Sequence, residues 1–320
     1  MNKCGNTTVL EFHILAFTAS DNMAYPIFTV FLFMYLLAVV GNLLIASLVS
    51  ATPQLHTSMY YFLCNLSIID ATYISTIFPN LLSITIGTNE ISFPGCITQM
   101  YFFIFCVDEE ILILTCMVYD RYVAVCSPLH YPLVMNKTMC IMMAALSLLI
   151  SFLNSLMLTL LTYSLSFCRS SEINHFFCEI RAVMSLSDSD TTSRDMVLFI
   201  EDICLVFFTF LFITVSYLRI ISSILKIRSL KGRWKTFSSC SSHLTSVTLF
   251  YGPILFLYMK SKSEYFPDED KLISLLYVAA VPTLNPFVYS LRNKEVLGVI
   301  GKVAKMKWRR NGVTHGNKLL

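Results

Sequence analysis

The sequence predicts an all-α membrane protein, a seven-transmembrane helix bundle with a short amphipathic helix after the seventh span. Three observations carry that expectation. Of the 320 residues, 56% are hydrophobic and only 13% charged, too apolar a balance for an ordinary soluble domain. Seven stretches meet or nearly meet the roughly 20 mostly apolar residues that a spanning helix needs. Basic residues collect on one side of the topology that seven spans create, and this sets an orientation. The net charge of +3 is too small to argue for a nucleic-acid partner.

In chain order the stretches are Tyr25 to Ser50, Met59 to Ile84, Ile97 to Val125, Met139 to Tyr163, Met196 to Ile224, Phe237 to Met259, and Leu272 to Leu291. Residues 1–24 show no signal-peptide pattern, so the first span is expected to direct insertion. The sixth stretch is the weakest, because Ser238, Ser239, Ser241, Ser242 and His243 crowd its start. It is accepted because an odd count agrees with the charge asymmetry. Arg121, Lys137, Arg219, Lys226, Arg228, Lys231, Arg233 and Lys235 fall on one face, and Arg292 to Lys318 adds eight more basic residues there. That face is expected to be cytoplasmic and the N-terminus extracellular. Residues 25–291 then form the membrane domain and residues 292–320 a cytoplasmic helix and tail. Val296, Leu297, Val299, Ile300, Val303 and Met306 recur among the basic residues at helical spacing, which reads as a helix lying on the inner leaflet. Asn6-Thr7-Thr8 is a glycosylation sequon in the right compartment. The matching triplets at Asn65 and Asn136 are not, and neither is expected to be modified.

Chemistry concentrates in a few places. Asp120 and Arg121 stand side by side at the end of the third span, where a bridged arginine is held and a freed one can reach another partner; this is the chemistry of a two-state switch. Asp70 and Glu110 are intramembrane carboxylates, and two that face each other either share a proton or hold a cation; a neutral hydrogen-bonded pair is the plainer reading. Pro286 breaks the seventh span, and Asn285 is expected to supply the carbonyl partner that the proline removes. Tyr217 and Tyr289 are placed to approach Arg121 when that end rearranges, and Pro253 gives the sixth span a similar hinge. On the other half of the third span, Met100, Phe103, Ile104, Val107, Asp108 and Ile111 follow i, i+3, i+4, i+7 spacing. A cavity walled by them suits a small, largely apolar ligand. Asp108, Glu201 and Asp202 either face that cavity and favour a cationic or hydrogen-bond-donating ligand, or bond helix to helix. Of the eleven cysteines, Cys96 and Cys178 lie in the oxidising compartment, where a bridge would tie the long loop to the bundle. Cys4 and Cys168 are left to pair with each other or stay free. No nucleophile-base pair, metal cluster or phosphate loop stands out, so an enzyme is not expected; His56, His130 and His243 read as caps or contacts near helix ends.

Taken together the motifs resemble the odorant receptors, a branch of the rhodopsin-like G protein-coupled receptors. The resemblance rests on Gly41-Asn42, Leu55-His56-Thr57 with Met59-Tyr60, Leu66-Ser67 with Asp70, Met117 to Cys126 running on through Pro128 to Pro132, Ser216-Tyr217, Lys235 to Leu244, and Pro282 to Asn285-Pro286 continuing to Lys294. It covers almost the whole chain and implies a plasma-membrane receptor for a small odorant. It also implies a Cys96 to Cys178 disulfide, a sodium site near Asp70 and Glu110 with no other cofactor, and Tyr251 as a rotamer-sensitive residue under the ligand, with Leu255 and Tyr258 among the cavity residues. Asp120, Arg121, Tyr122, Tyr217, Asn285, Pro286 and Tyr289 would form the switch coupled to a stimulatory heterotrimeric G protein that raises cyclic AMP. The chain departs from the family where Leu186 to Asp190 lacks the usual partner for Cys168, where Ser58 replaces a proline, at Trp234, and in the acidity contributed by Asp108, Glu109, Glu201 and Asp202. Lys235 occupies the foot of the sixth span, where some rhodopsin-like receptors carry an acid, so the inactive lock is expected to rest on Asp120. The alternatives are a receptor of the same fold for a metabolite outside olfaction and, less favoured for want of internal repeats, an ion-coupled transporter or channel.

Overall fold

The computed structural model describes residues 11–15, 21–168, 171–259, 267–291 and 298. Its spans are the helices α1 (Asp21–Ala51), α2 (Ser58–Thr85), α3 (Phe93–Cys126), α5 (Lys137–Tyr163), α7 (Thr192–Glu201) continued into α8 (Phe208–Leu225), α9 (Leu230–Met259) and α10 (Pro267–Leu291). Short helices α4 (Tyr131–Val134) and α6 (Ile180–Met184) sit in the connections. Asn6 and the amphipathic helix expected after Leu291 lie outside the described residues, Gly298 apart.

Lipid explains the pattern of burial. Leu36, Val40, Leu43 and Leu44 on α1 are each more than half exposed, as are Leu149, Leu153 and Leu160 on α5. Apolar surface of that extent is stable only against hydrocarbon. The polar side chains turn inward instead, and Asn42, Asp70, Glu110, Asp120 and Asn285 are all buried. Helix α3 packs against α2, α5, α8 and α9, so it is the post around which the others stand. It runs further than hydropathy predicts because its ends leave the hydrocarbon while the backbone ladder continues. At its start Ser92 caps the helix, its hydroxyl accepting from the Gly95 amide at 3.2 Å. α9 likewise begins at Leu230, ahead of the apolar stretch, with basic and hydroxyl side chains on its first turns.

Within the fifth span, Asp202–Phe207 forms a π-helical turn between α7 and α8. A wider turn of this kind re-aims every side chain beyond it. Where α1 crosses α10, a Cβ at Gly41 would lie 3.2 Å from the Pro286 ring, so the glycine permits a close approach at the proline bend.

One end of the bundle carries a three-stranded sheet, β1 (Glu11–Ile14), β2 (Glu90–Ser92) and β3 (Glu172–Ile173), in the order β2-β1-β3. β1 pairs antiparallel with β2 and parallel with β3. The segment ahead of the first span is thereby stitched between two loops, with Phe12 and Ile14 facing into the protein. The other end of the bundle carries Arg121.

Candidate functional site

At the Arg121 end, the charge pair is closed. Asp120 is fully buried, and its Oδ2 accepts from Arg121 Nη2 at 2.8 Å and Nε at 3.1 Å. Its Oδ1 accepts from the Tyr131 phenol of α4 at 2.8 Å. Burial first and the Asp120 charge second push the Tyr131 phenol up to about 12, so it keeps the proton it donates. Tyr122 reaches the Arg219 guanidinium at only 3.5 Å. Tyr217 does not meet Arg121 here: its hydroxyl bonds His243 Nδ1 at 2.5 Å and ties α8 to α9. Tyr289 is buried in the same core as Tyr217 and Tyr251.

In the middle of the bundle, Asn285 Nδ2 donates to Asp70 Oδ2 at 2.8 Å. Asn285 therefore does not serve the Pro286 bend, as the sequence suggests it would. Pro286 has no amide hydrogen, which leaves the carbonyl of Pro282 without its helical donor. Asn42 Nδ2 takes that carbonyl at 2.8 Å, and also donates to Ala38 O at 3.0 Å. A side chain one residue from the proline points away from the carbonyl one turn back, whereas α1 crosses at that level and brings Asn42 to it. Asp70 Oδ1 and both carboxyl oxygens of Glu110 are buried with no hydrogen-bond partner among the described residues.

Three consecutive acids on α3 cannot share a face, because successive helical residues point about 100° apart. Glu109 accepts from Ser147 at 2.9 Å and Ser151 at 3.0 Å, both on α5. Asp108 accepts from Asn154 Nδ2 at 2.9 Å, and the same amide reaches Glu201 Oε1 at 3.3 Å. Asp202 pairs with Arg181 at 2.5 Å. Asp108 and Glu201 thus converge on one amide between α3, α5 and α7.

Toward the sheet end, Met100, Phe103, Ile104 and Ile111 are buried and Val107 partly so. Phe103 packs at a tilt against Phe177 of the long loop at 4.6 Å and lies 5.7 Å from Tyr73. Cys178 is disulfide-bonded to Cys96, and its amide donates to Gln99 Oε1 at 3.0 Å. Gln99 in turn donates to Thr76 O at 3.0 Å, linking loop, α3 and α2. Cys168 is also disulfide-bonded, to a partner outside the described residues, so it does not stay free. Tyr251 is buried beneath this layer and packs 5.5 Å from Phe210, with Leu255 partly buried nearby. The side chain of Tyr258 lies outside those described. A cavity of about 840 Å³ opens instead between α1, α2 and α10, lined by Met23, Pro26, Phe31, Leu81 and Leu275 among others. None of the predicted ligand residues lines it.

The sequence is matched along residues 31–307 by the family model described as olfactory receptor. The chain belongs to the olfactory receptor family. Olfactory receptor 5AR1 of Mus musculus is 43% identical over 308 residues, 96% of this chain and 99% of that protein. Its Homo sapiens namesake gives the same figures, and Olfactory receptor 1L6 of Homo sapiens is 44% identical over 286 residues, 89% of this chain and 82% of that protein. The receptor is a membrane protein of a receptor family, and odorant ligands and G protein coupling are that family's general business.

Several partners escaped the sequence reading. Asn154 is a lone amide in an apolar stretch, which is a usable signal, and Tyr131 belongs to a quoted motif. Gln99, Ser147 and Ser151 carry no such mark. Nor does the sheet-end loop, where Lys271 of α10 is buried and donates to Leu15 O at 3.1 Å. His175 stacks on Phe176 at 4.6 Å and meets Phe177 edge-on at 4.6 Å. Burial first, then the Lys271 charge, lowers His175 from 6.5 to about 3, while burial raises Glu179 against the amides it caps. The folded receptor therefore binds fewer protons at His175 than the unfolded chain between those two values. The His175 contribution is complete above about pH 6.5 and falls as pH drops toward about 3, by about 2 kcal/mol at about pH 5, while the raised Glu179 works in the opposite direction. Melting of the receptor in nanodiscs should drop between neutral and mildly acid buffer, and His175→Phe should flatten that drop. An unchanged drop in the variant would reassign the effect.

Proposed function

We propose that this receptor binds a small, largely apolar odorant in the sheet-end half of the bundle and activates a stimulatory heterotrimeric G protein, raising cyclic AMP. The sheet end then faces outward and the Arg121 end the cytoplasm of a cell whose plasma membrane the chain crosses. The observation that supports this reading most is the closed Asp120–Arg121 pair, a buried carboxylate holding a guanidinium at the end opposite the loop-covered half. Such a pair restrains Arg121 until another contact competes for it. Ligand entry beneath Phe177 displaces the loop ring from Phe103 and shifts the packing on α3, α8 and α9. Breaking the Tyr217–His243 bond then frees Tyr217 to meet Arg121. A ligand that favours the open state by a few kcal/mol suffices to shift the population.

The unpartnered oxygens of Asp70 and Glu110 fit a hard cation, and sodium is the proposed occupant, held by these carboxylates beside Asn285. Neutralising the pair would fasten α2 to α3. Convergence of Asp108 and Glu201 on one amide supports a preference for amines, since a cation there would satisfy both carboxylates.

Cells displaying the tagged receptor, challenged with hexylamine, octanol, octanal and octanoic acid, test the proposal by their cyclic AMP response. Hexylamine should rank first, and Asp108→Asn or Glu201→Gln should weaken it about tenfold or more relative to octanol. An unchanged rank order in both variants removes the acidic preference and leaves the receptor. Displayed receptor that signals to no odorant in a broad panel overturns the coupling.

A further inference from the structure

Spans five and six meet at a pair of hydroxyls that no role described so far uses. Thr209 follows directly on the π-helical turn, one residue into α8. Its Oγ1 bonds the Leu205 carbonyl and lies 3.1 Å from the Val206 carbonyl. Carbonyl oxygens only accept, so the single Thr209 proton is committed to its own backbone. The Tyr251 hydroxyl stands 2.8 Å from the same Oγ1. With the threonine proton placed on its own backbone, the arrangement favours Tyr251 as the donor to Thr209. Its ring is almost wholly buried, 5.5 Å from Phe210 and 5.4 Å from Phe250, which excludes water and leaves Thr115 of α3 as the other side-chain partner of the hydroxyl. The π-helical turn has a part in this. By widening the ladder just before Thr209, it changes the direction in which the hydroxyl leaves the helix, toward α9.

We propose that Thr209 is a positioning residue for Tyr251, accepting the phenol proton and thereby fixing the Tyr251 ring in the resting receptor. The inference rests on the receptor reading above, and it adds a residue that sets how easily the ligand moves that ring. An odorant pressing on Tyr251 must break the bond to turn it, so the strength of the bond sets both resting activity and sensitivity. The contact couples the end of the π-helical turn to the sixth span.

Thr209→Val keeps the branched shape and removes the acceptor, whereas Thr209→Ser keeps the hydroxyl. In cells with matched surface display, T209V should raise ligand-independent cyclic AMP about tenfold and lower the octanol concentration for half response by a similar factor. T209S should match the parent receptor. Tyr251→Phe removes the donor from the other side, and T209V combined with Y251F should do no more than Y251F alone. A second readout does not depend on the G protein: in nanodiscs, backbone hydrogen exchange across Val247–Ile254 should be faster in T209V than in T209S. Equal exchange in T209V and T209S overturns the positioning role whether or not the receptor signals. Silence of the parent receptor to the whole odorant panel, with exchange still differing, overturns only the coupling. Should T209V fail to reach the surface, the comparison of Y251F with the parent decides, and unchanged resting activity and exchange there would overturn the proposal.

Discussion

Asp120→Asn is expected to raise ligand-independent cyclic AMP by about thirtyfold per displayed receptor, the result of losing about 2 kcal/mol of restraint on Arg121. The estimate follows from geometry. Asp120 is fully buried and makes two hydrogen bonds to the guanidinium and one to the Tyr131 phenol. Bonds to an ionised group each contribute about 1.5–3 kcal/mol, and asparagine keeps the shape while giving up the charge. The guanidinium, still partly buried, then gains by finding another partner. Tyr131→Phe removes one bond and leaves the charge pair, so its effect should be about fivefold. Arg121→Ala differs in kind: on the proposed mechanism it should display normally and abolish signalling to every odorant, because the group proposed to engage the G protein is gone. Resting cyclic AMP normalised to surface label measures all three. Normal display of D120N with resting activity equal to the parent receptor would mean that the pair is not the restraint.

Much of this arrangement is legible in the sequence because a bilayer imposes it. Each span must satisfy its own backbone and present apolar side chains outward, so seven apolar stretches of the right length could hardly fold otherwise. The limits of the spans were less legible. α3 and α9 extend beyond their apolar stretches, since hydropathy reports where hydrocarbon ends and not where the helix does. The adjacency of Asp120 and Arg121 marks the pair at sight, and the family motifs imply the Cys96–Cys178 bridge. Partners across helices were not legible. Proximity along the chain points to Asn285 for the proline carbonyl, yet the donor comes from Asn42, which Gly41 brings close by lacking a Cβ. Asp108 sits on the edge of an apolar stripe and turns to Asn154 of α5, a choice set by which helix stands beside it. The sheet is not legible because the polar–apolar alternation of β1 runs for only four residues, and their pairing depends on loops far away in sequence.

Cys178→Ser should remove most of the receptor from the cell surface, and with it the odorant response. The bridge closes a loop of 82 residues, and in a free chain such a closure restricts the unfolded state by about 4 to 5 kcal/mol. Spans already threaded through the membrane restrict part of that freedom, so the entropic share here is smaller. The local share is larger, because the bridge fixes a layer. Cys178 places Phe177 against Phe103 and its own amide on Gln99, while β3 a few residues earlier holds β1 in place. Releasing Cys178 loosens all three contacts together, leaving the Gln99 carbonyl group buried without its donor. Two comparisons separate these shares. Cys96→Ser should match C178S, and the double variant should be no worse than either, since each single change already breaks the same bond. Gln99→Leu keeps the bridge and loses only its side-chain bonds, so it should display at an intermediate level and melt lower in nanodiscs by about 1 to 3 kcal/mol. Full display and an unaltered odorant response in C178S would show that the β1–β3 pairing and the Cys168 bridge hold the loop without it.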